Sequence, residues 1–149
     1  MTQDLRLLLS RSARSVTLYF KDRAAEHDLS VVQAQALIEI DQTPGISLGG
    51  LAGSISKDLA STSILIDRMT TLGLVRRAVD PHDRRRNQLF VTAQAEATVE
   101  EMKNARADVN RLVLDLLGSE QAGNLATLLT RFLEALAQSE AATGSNEEV

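Results

Sequence analysis

The stretch "VDPHDRRRNQLFVT", residues 79–92, gathers three successive arginines, Arg84, Arg85 and Arg86, behind a proline turn flanked by Asp80 and Asp83. Guanidinium groups at that density do one kind of chemistry well: they bind polyanions. A DNA duplex carries about one negative charge per 1.7 Å of its axis, so an arginine that meets a phosphate gains by releasing condensed counterions. The minor groove is narrow and most negative over A·T-rich sequence, which admits a slim arginine on a turn better than a whole helix. Three adjacent side chains cannot all point one way, so one is expected in the groove and its neighbours on phosphates. Pro81 restricts the turn and lowers the entropy lost on docking. The plain alternative is a solvated, charged loop tip, and the elements around the stretch decide between the two.

A second polar cluster lies upstream. Ser61, Thr62 and Ser63 fall in the first turns of a helix expected to start behind Asp58. Short hydroxyls there can serve base edges or phosphates, although capping and ordinary helix surface use the same residues. Lys57, just before that helix, sits beside its positive end and reads as a phosphate contact. Arg68 can reach a phosphate or close a salt bridge, within the helix or to the hairpin that follows.

Catalytic chemistry finds no support. His27 and His82 are the only histidines, there is no cysteine, and no HExxH-type pairing occurs. No metal site and no nucleophile beside a base are therefore expected, and no cofactor. His82 reads as a polar turn residue or a phosphate contact. "GGLAGS" (49–54) is glycine-rich, but no strand precedes it and no Lys-Ser/Thr pair follows at P-loop spacing. Small residues where two helices cross closely explain it.

The elements that must position these groups follow from periodicity and terminus signals. Residues 3–26 form a first helix, with Leu5, Leu8, Leu9, Ser12, Val16, Tyr19 and Phe20 recurring at three- and four-residue steps. A second starts at Ser30, where Ser30 and Gln33 have capping-box spacing; "QTPG" (42–45) stops it. Ser47 caps a short third helix containing Leu48, Leu51 and Ala52. After a break at 53–57, Asp58 caps a fourth that runs to about Leu72, with Leu65, Ile66 and Met69 inward and Gly73 as its stop. Two short helices so spaced make a helix-turn-helix. "LVRRAV" (74–79) and "NQLFVT" (87–92) are strand-like and bracket the arginines as a β-hairpin.

Thr92 is placed to cap a long helix to about Leu117, striped by Val99, Met102, Ala105, Val109, Leu112 and Leu116. Gly118 and Ser119 break the chain, and a final helix to about Gln138 carries Leu125, Leu128, Leu129, Phe132, Leu133 and Leu136. Residues 139–149 read as a flexible polar tail. The predicted fold is mainly α with a small β-hairpin: a winged helix-turn-helix domain over 1–138, its DNA-binding lobe at about 45–92. The terminal helices, about 3–26 and 93–138, carry more apolar surface than one small core needs, and pairing with a second copy would cover it.

Charge is segregated in the same way. The chain carries −4 overall, yet residues 57–90 hold seven bases against four acids, +3, which leaves −7 elsewhere. No apolar run approaches the roughly 18 residues of a membrane span, and no signal-peptide pattern opens the chain. With no cysteine for disulfides, a cytoplasmic location is expected.

At "DRMTTLGLVRRAVDPHDRRRNQLFVT" (67–92) the chain resembles the MarR (multiple antibiotic resistance regulator) family of bacterial transcription factors. The pattern shared is an Asp-Arg-hydrophobic helix end, a Gly-Leu-Val lead into the wing, and a wing closed by a Thr-capped helix. "LAGSISKDLASTSILIDRM" (51–69) matches the family's helix-turn-helix in length without a gap. The resemblance implies an obligate dimer built from the terminal helices, on a palindromic operator. Each recognition helix would lie in a major groove and each wing in the neighbouring minor groove. The family's Asp-x-Arg pair falls on Asp83 and Arg85, so Arg85 would enter the minor groove with Asp83 holding its guanidinium.

The chain departs from the family at Ile64, where a basic residue is frequent, and at Ala95, where Gly is common. The implied function is a homodimeric transcriptional repressor that binds double-stranded DNA and is released by a small-molecule effector. The effector would alter the separation of the recognition helices, which must match about 34–36 Å between half-sites. Tyr19, Phe20 and His27 are the effector-site candidates by their position in the helical frame; plain packing is the alternative for each. The thiol-oxidation switch of some family members has no cysteine to use here. A reading from another class is a winged-helix protein-interaction module without DNA binding, motivated by the overall acidity and Ile64.

Overall fold

The structure, a computed structural model, describes residues 4–84 and 86–144, with side chains up to residue 139. Helix α1 (Leu5–Ala25) opens on Asp4, whose carboxylate accepts from the Leu7 amide. Helix α2 (Val31–Gln42) starts with the full capping box: Gln33 N–H donates to Ser30 Oγ, and Ser30 N–H to Gln33 Oε1. Strand β1 (Ile46–Ser47) precedes α3 (Leu48–Ser54), which is capped by Ser47. Asp58 caps α4 (Leu59–Thr71). Strands β2 (Val75–Val79) and β3 (Asn87–Val91), a 3-10 turn (Ala93–Ala95) and α5 (Glu96–Gly144) complete the order.

The wing is a three-stranded antiparallel sheet in the order β1-β3-β2, where the sequence predicts a two-stranded hairpin. Strand β1 pairs Ile46 with Leu89 and Ser47 with Gln88. Two residues between a turn and a helix cap carry no alternation that sequence periodicity can register. A second difference concerns Thr92. Its hydroxyl makes no cap hydrogen bond to the turn behind it and donates to the Gly73 carbonyl at 2.5 Å. Thr92 N–H also donates to the Leu74 carbonyl, so this residue clasps the two ends of the hairpin. Gly73 has φ +73°, a conformation that disfavours any side chain, and a Cβ there would lie 3.0 Å from Gln94 Oε1.

The chain divides into two compact units, Met1–Ala107 and Asp108–Val149. In the first, the core gathers Phe20, Ala24, Leu37, Ile40, Leu51, Ile66, Met69, Val75, Leu89, Val99 and Met102. Leu65, expected inward, is only partly buried against it. The first turns of α5 are bound to α2 by charge as well: Lys103 Nζ donates to Asp41 Oδ2 at 3.1 Å and to Glu100 Oε1 at 2.7 Å, and Arg106 meets Glu39 at 3.6 Å. The Glu100 and Asp41 hydrogen bonds hold the Lys103 ammonium above its ordinary pKa.

In α5, Gly118 takes φ 74° and ψ 162°, a non-helical pair open essentially to glycine, and so separates two helical stretches. Residues 139–144 continue the helix where a flexible tail is predicted; 145–149 lie outside the described residues. Among the described residues no helix is long and apolar enough to cross a membrane.

Candidate nucleic-acid interface

The helix expected to read DNA is α4. Its buried side carries Thr62, Ile66 and Met69, at i, i+4 and i+7. Asp58 Oδ1 accepts from the Ser61 amide at 2.8 Å, and the Ser61 hydroxyl donates to Asp58 Oδ2 at 2.8 Å. Those two bonds, the backbone one first, hold the Asp58 carboxyl below its ordinary pKa. The cap thus keeps an anion on the positive end of α4.

The three hydroxyls diverge. Thr62 is fully buried, and its Oγ1 donates to the Asp58 carbonyl at 2.8 Å, which removes it from the residues a ligand can reach. Ser61 is exposed but committed to the cap, and Ser63 is half-buried. Lys57 is exposed just ahead of the helix. Arg68 is exposed and makes neither of its two possible salt bridges among the described residues. The helix-to-wing bridge is made instead by Asp67, whose Oδ1 accepts from Arg77 Nη2 of β2 at 2.6 Å. Arg76, the next residue on β2, lies over the Phe90 ring at 4.3 Å across the strand pair. Neither contact is legible from spacing, because both depend on strand register.

The wing tip is tightly built. Asp80 N–H donates to the Arg86 carbonyl and Arg86 N–H to the Asp83 carbonyl, each at 2.9 Å, while Asp80 Oδ1 accepts from His82 N–H at 2.8 Å. His82, Asp83, Arg84 and Arg86 are all exposed on it. The Asp83 carboxylate lies 3.6 Å from Arg86 Nε. Arg85, the expected groove residue, lies outside the described residues.

The effector candidates occupy three different settings. Phe20 belongs to the core; Tyr19 is 37% exposed with Arg23 5.7 Å over its ring; His27 Nε2 is 2.7 Å from Glu101 Oε2 of α5.

This arrangement is shared with known proteins. Residues 27–86 match the MarR family model. None of the curated proteins matches the chain. Among solved structures the transcriptional regulator SlyA superposes with a TM-score of 0.81 at 19% identity, over 92% of this chain and 96% of that one. The S. aureus MepR–DNA complex gives 0.79 at 18% identity, over 90% and 99%. MarR itself gives 0.73 at 23% identity, over 95% and 98%. At such identities the likeness establishes the winged-helix fold.

Proposed function

We propose that this chain, whose residues 27–86 match the MarR family model, is a homodimeric DNA-binding transcriptional regulator, acting as a repressor on a palindromic operator. The observation that carries this reading is the wing. Arg84 and Arg86 stand exposed on a hydrogen-bonded turn beside α4, in a segment, 57–90, that holds seven bases against four acids although the chain as a whole carries −4. Exposed guanidinium groups so placed gain by meeting phosphates. In this reading Lys57, Arg68, Arg84 and Arg86 meet phosphates and Arg85 enters the minor groove.

Dimer formation is supported by apolar surface without cover. On α1, Leu5, Leu7, Leu8 and Val16 are exposed; in the second unit, Leu116, Leu128, Phe132 and Leu133 are exposed as well. Monomers seldom leave so many large apolar side chains in water. A small molecule that shifts the spacing of the two recognition helices would release the operator.

The test is a titration of genomic operator fragments against random DNA at two salt concentrations. Affinity should fall steeply with salt, and Arg85→Ala should lose most of it. A wild type without salt-dependent DNA affinity sinks the proposal and leaves the protein-interaction module.

A further inference from the structure

Ile64 stands at the centre of the outward face of α4, and folding supplies no reason for it. The side chain is 70% exposed and belongs to no packed cluster among the described residues. It lies two residues from both Thr62 and Ile66, so at 100° per residue it points about 200° away from each of these buried positions. The other exposed large apolar residues of this helix region, Leu59 and Leu72, sit at its ends. A merely solvated face favours Ala, Lys, Arg or Glu, because β-branched isoleucine loses rotamer freedom in a helix.

The groups around Ile64 sharpen the question. Ser61, one turn before it, has its hydroxyl on Asp58, and Asp67, one turn after it, is held by Arg77. The helix therefore presents a branched hydrocarbon at its middle, with Arg68 one turn further along. An apolar group between Lys57, just ahead of the helix, and Arg68 suits a polyanion that carries an apolar feature. In the major groove that feature is the C5-methyl group of thymine, which distinguishes A·T from every other pair.

We propose that Ile64 is a specificity-determining residue that packs against a thymine C5-methyl in each half-site. This rests on the DNA-binding reading above. The flanking charge favours this occupant over an apolar cleft of another protein.

The experiment selects an operator from random DNA and replaces each symmetry-related thymine pair by deoxyuridine, which lacks only the methyl. For the wild type, one pair should lower affinity by about fourfold per half-site, the factor expected for one buried methyl. Ile64→Ala should bind the thymine operator more weakly and be indifferent to that replacement, and Ile64→Val should keep part of the discrimination. Alanine favours the helix, so unchanged thermal melting serves as the folding control. If the wild type binds but senses no methyl, or if Ile64→Ala senses it undiminished, the assignment to Ile64 is overturned while DNA binding stands. If the wild type selects no DNA at all, both readings fall.

Discussion

Arg77 of β2 donates to Asp67 of α4 across 2.6 Å, so an ion pair ties α4 to the wing. The pair is partly exposed, and such pairs contribute only about 0.2–1 kcal/mol to stability. Its importance is expected in geometry: it fixes where the wing stands relative to the helix. Asp67→Asn separates position from charge. Removing an anion beside DNA should strengthen binding on electrostatics alone, whereas loss of the tie should weaken it. We expect Asp67→Asn to melt within a few degrees of the wild type and to bind operator about tenfold more weakly. Tighter binding by this variant would show that the tie does not position the wing.

On the proposed function, the salt dependence of binding would report how many phosphates the wing meets. Each phosphate contact adds about 0.9 to the slope of log affinity against log salt, so Arg84→Ala in a dimer should reduce it by about 1.8. Arg86→Ala should do the same, with a smaller loss if Asp83, 3.6 Å from Arg86 Nε, already neutralises that charge. Neither change should alter which operator is preferred, because phosphates carry no sequence. A changed preference would place that arginine on a base.

The cap of α4 predicts a pH dependence. The Asp58 carboxyl is held below its ordinary value of 3.8 by the Ser61 amide and hydroxyl. A depressed carboxyl adds stability that is fully present above the ordinary value and is lost as pH falls through the folded one. Thermal melting of the wild type should therefore fall more steeply below about pH 4 than that of Asp58→Asn, which keeps a capping oxygen without the charge. Parallel curves for the two proteins would remove Asp58 from the acid response.

The run Ser61-Thr62-Ser63 shows what sequence does and does not disclose. The helix itself is legible because its ends are local: Asp58 caps it and Gly73 stops it. The same holds for the Ser30–Gln33 box, Ser47 and Gly118. Thr62 could have been placed in the core from phase, since Ile66 and Met69 follow it at i+4 and i+7. Strand β1, the Thr92 clasp and the Asp67–Arg77 pair depend instead on which backbones become neighbours, and no spacing encodes that. Thr62→Val tests the corrected role. It removes a hydroxyl that donates to the Asp58 carbonyl and keeps the shape, so it should cost about 1 kcal/mol of stability. Operator preference should not move; a shifted preference would return Thr62 to the reading surface.

The apolar stripe of the second unit carries the last prediction. Leu125, Leu128, Leu129, Phe132, Leu133 and Leu136 recur at three- and four-residue steps, and every one is at least 37% exposed. Burying a leucine is worth about 1.5–3 kcal/mol, so a dimer interface that covers several has ample driving force. Leu133, 64% exposed, can accept a charge without disturbing the fold of a single chain. The proposed dimer should therefore be seen for the wild type in sedimentation, and Leu133→Glu should keep its helical content and sediment as a monomer at the same concentrations. Two half-sites would then be bound independently, and the advantage of a palindrome over a single half-site should shrink towards nothing. If Leu133→Glu remains dimeric and keeps that advantage, the two copies meet elsewhere, and the exposed surface of α1 becomes the face to alter next.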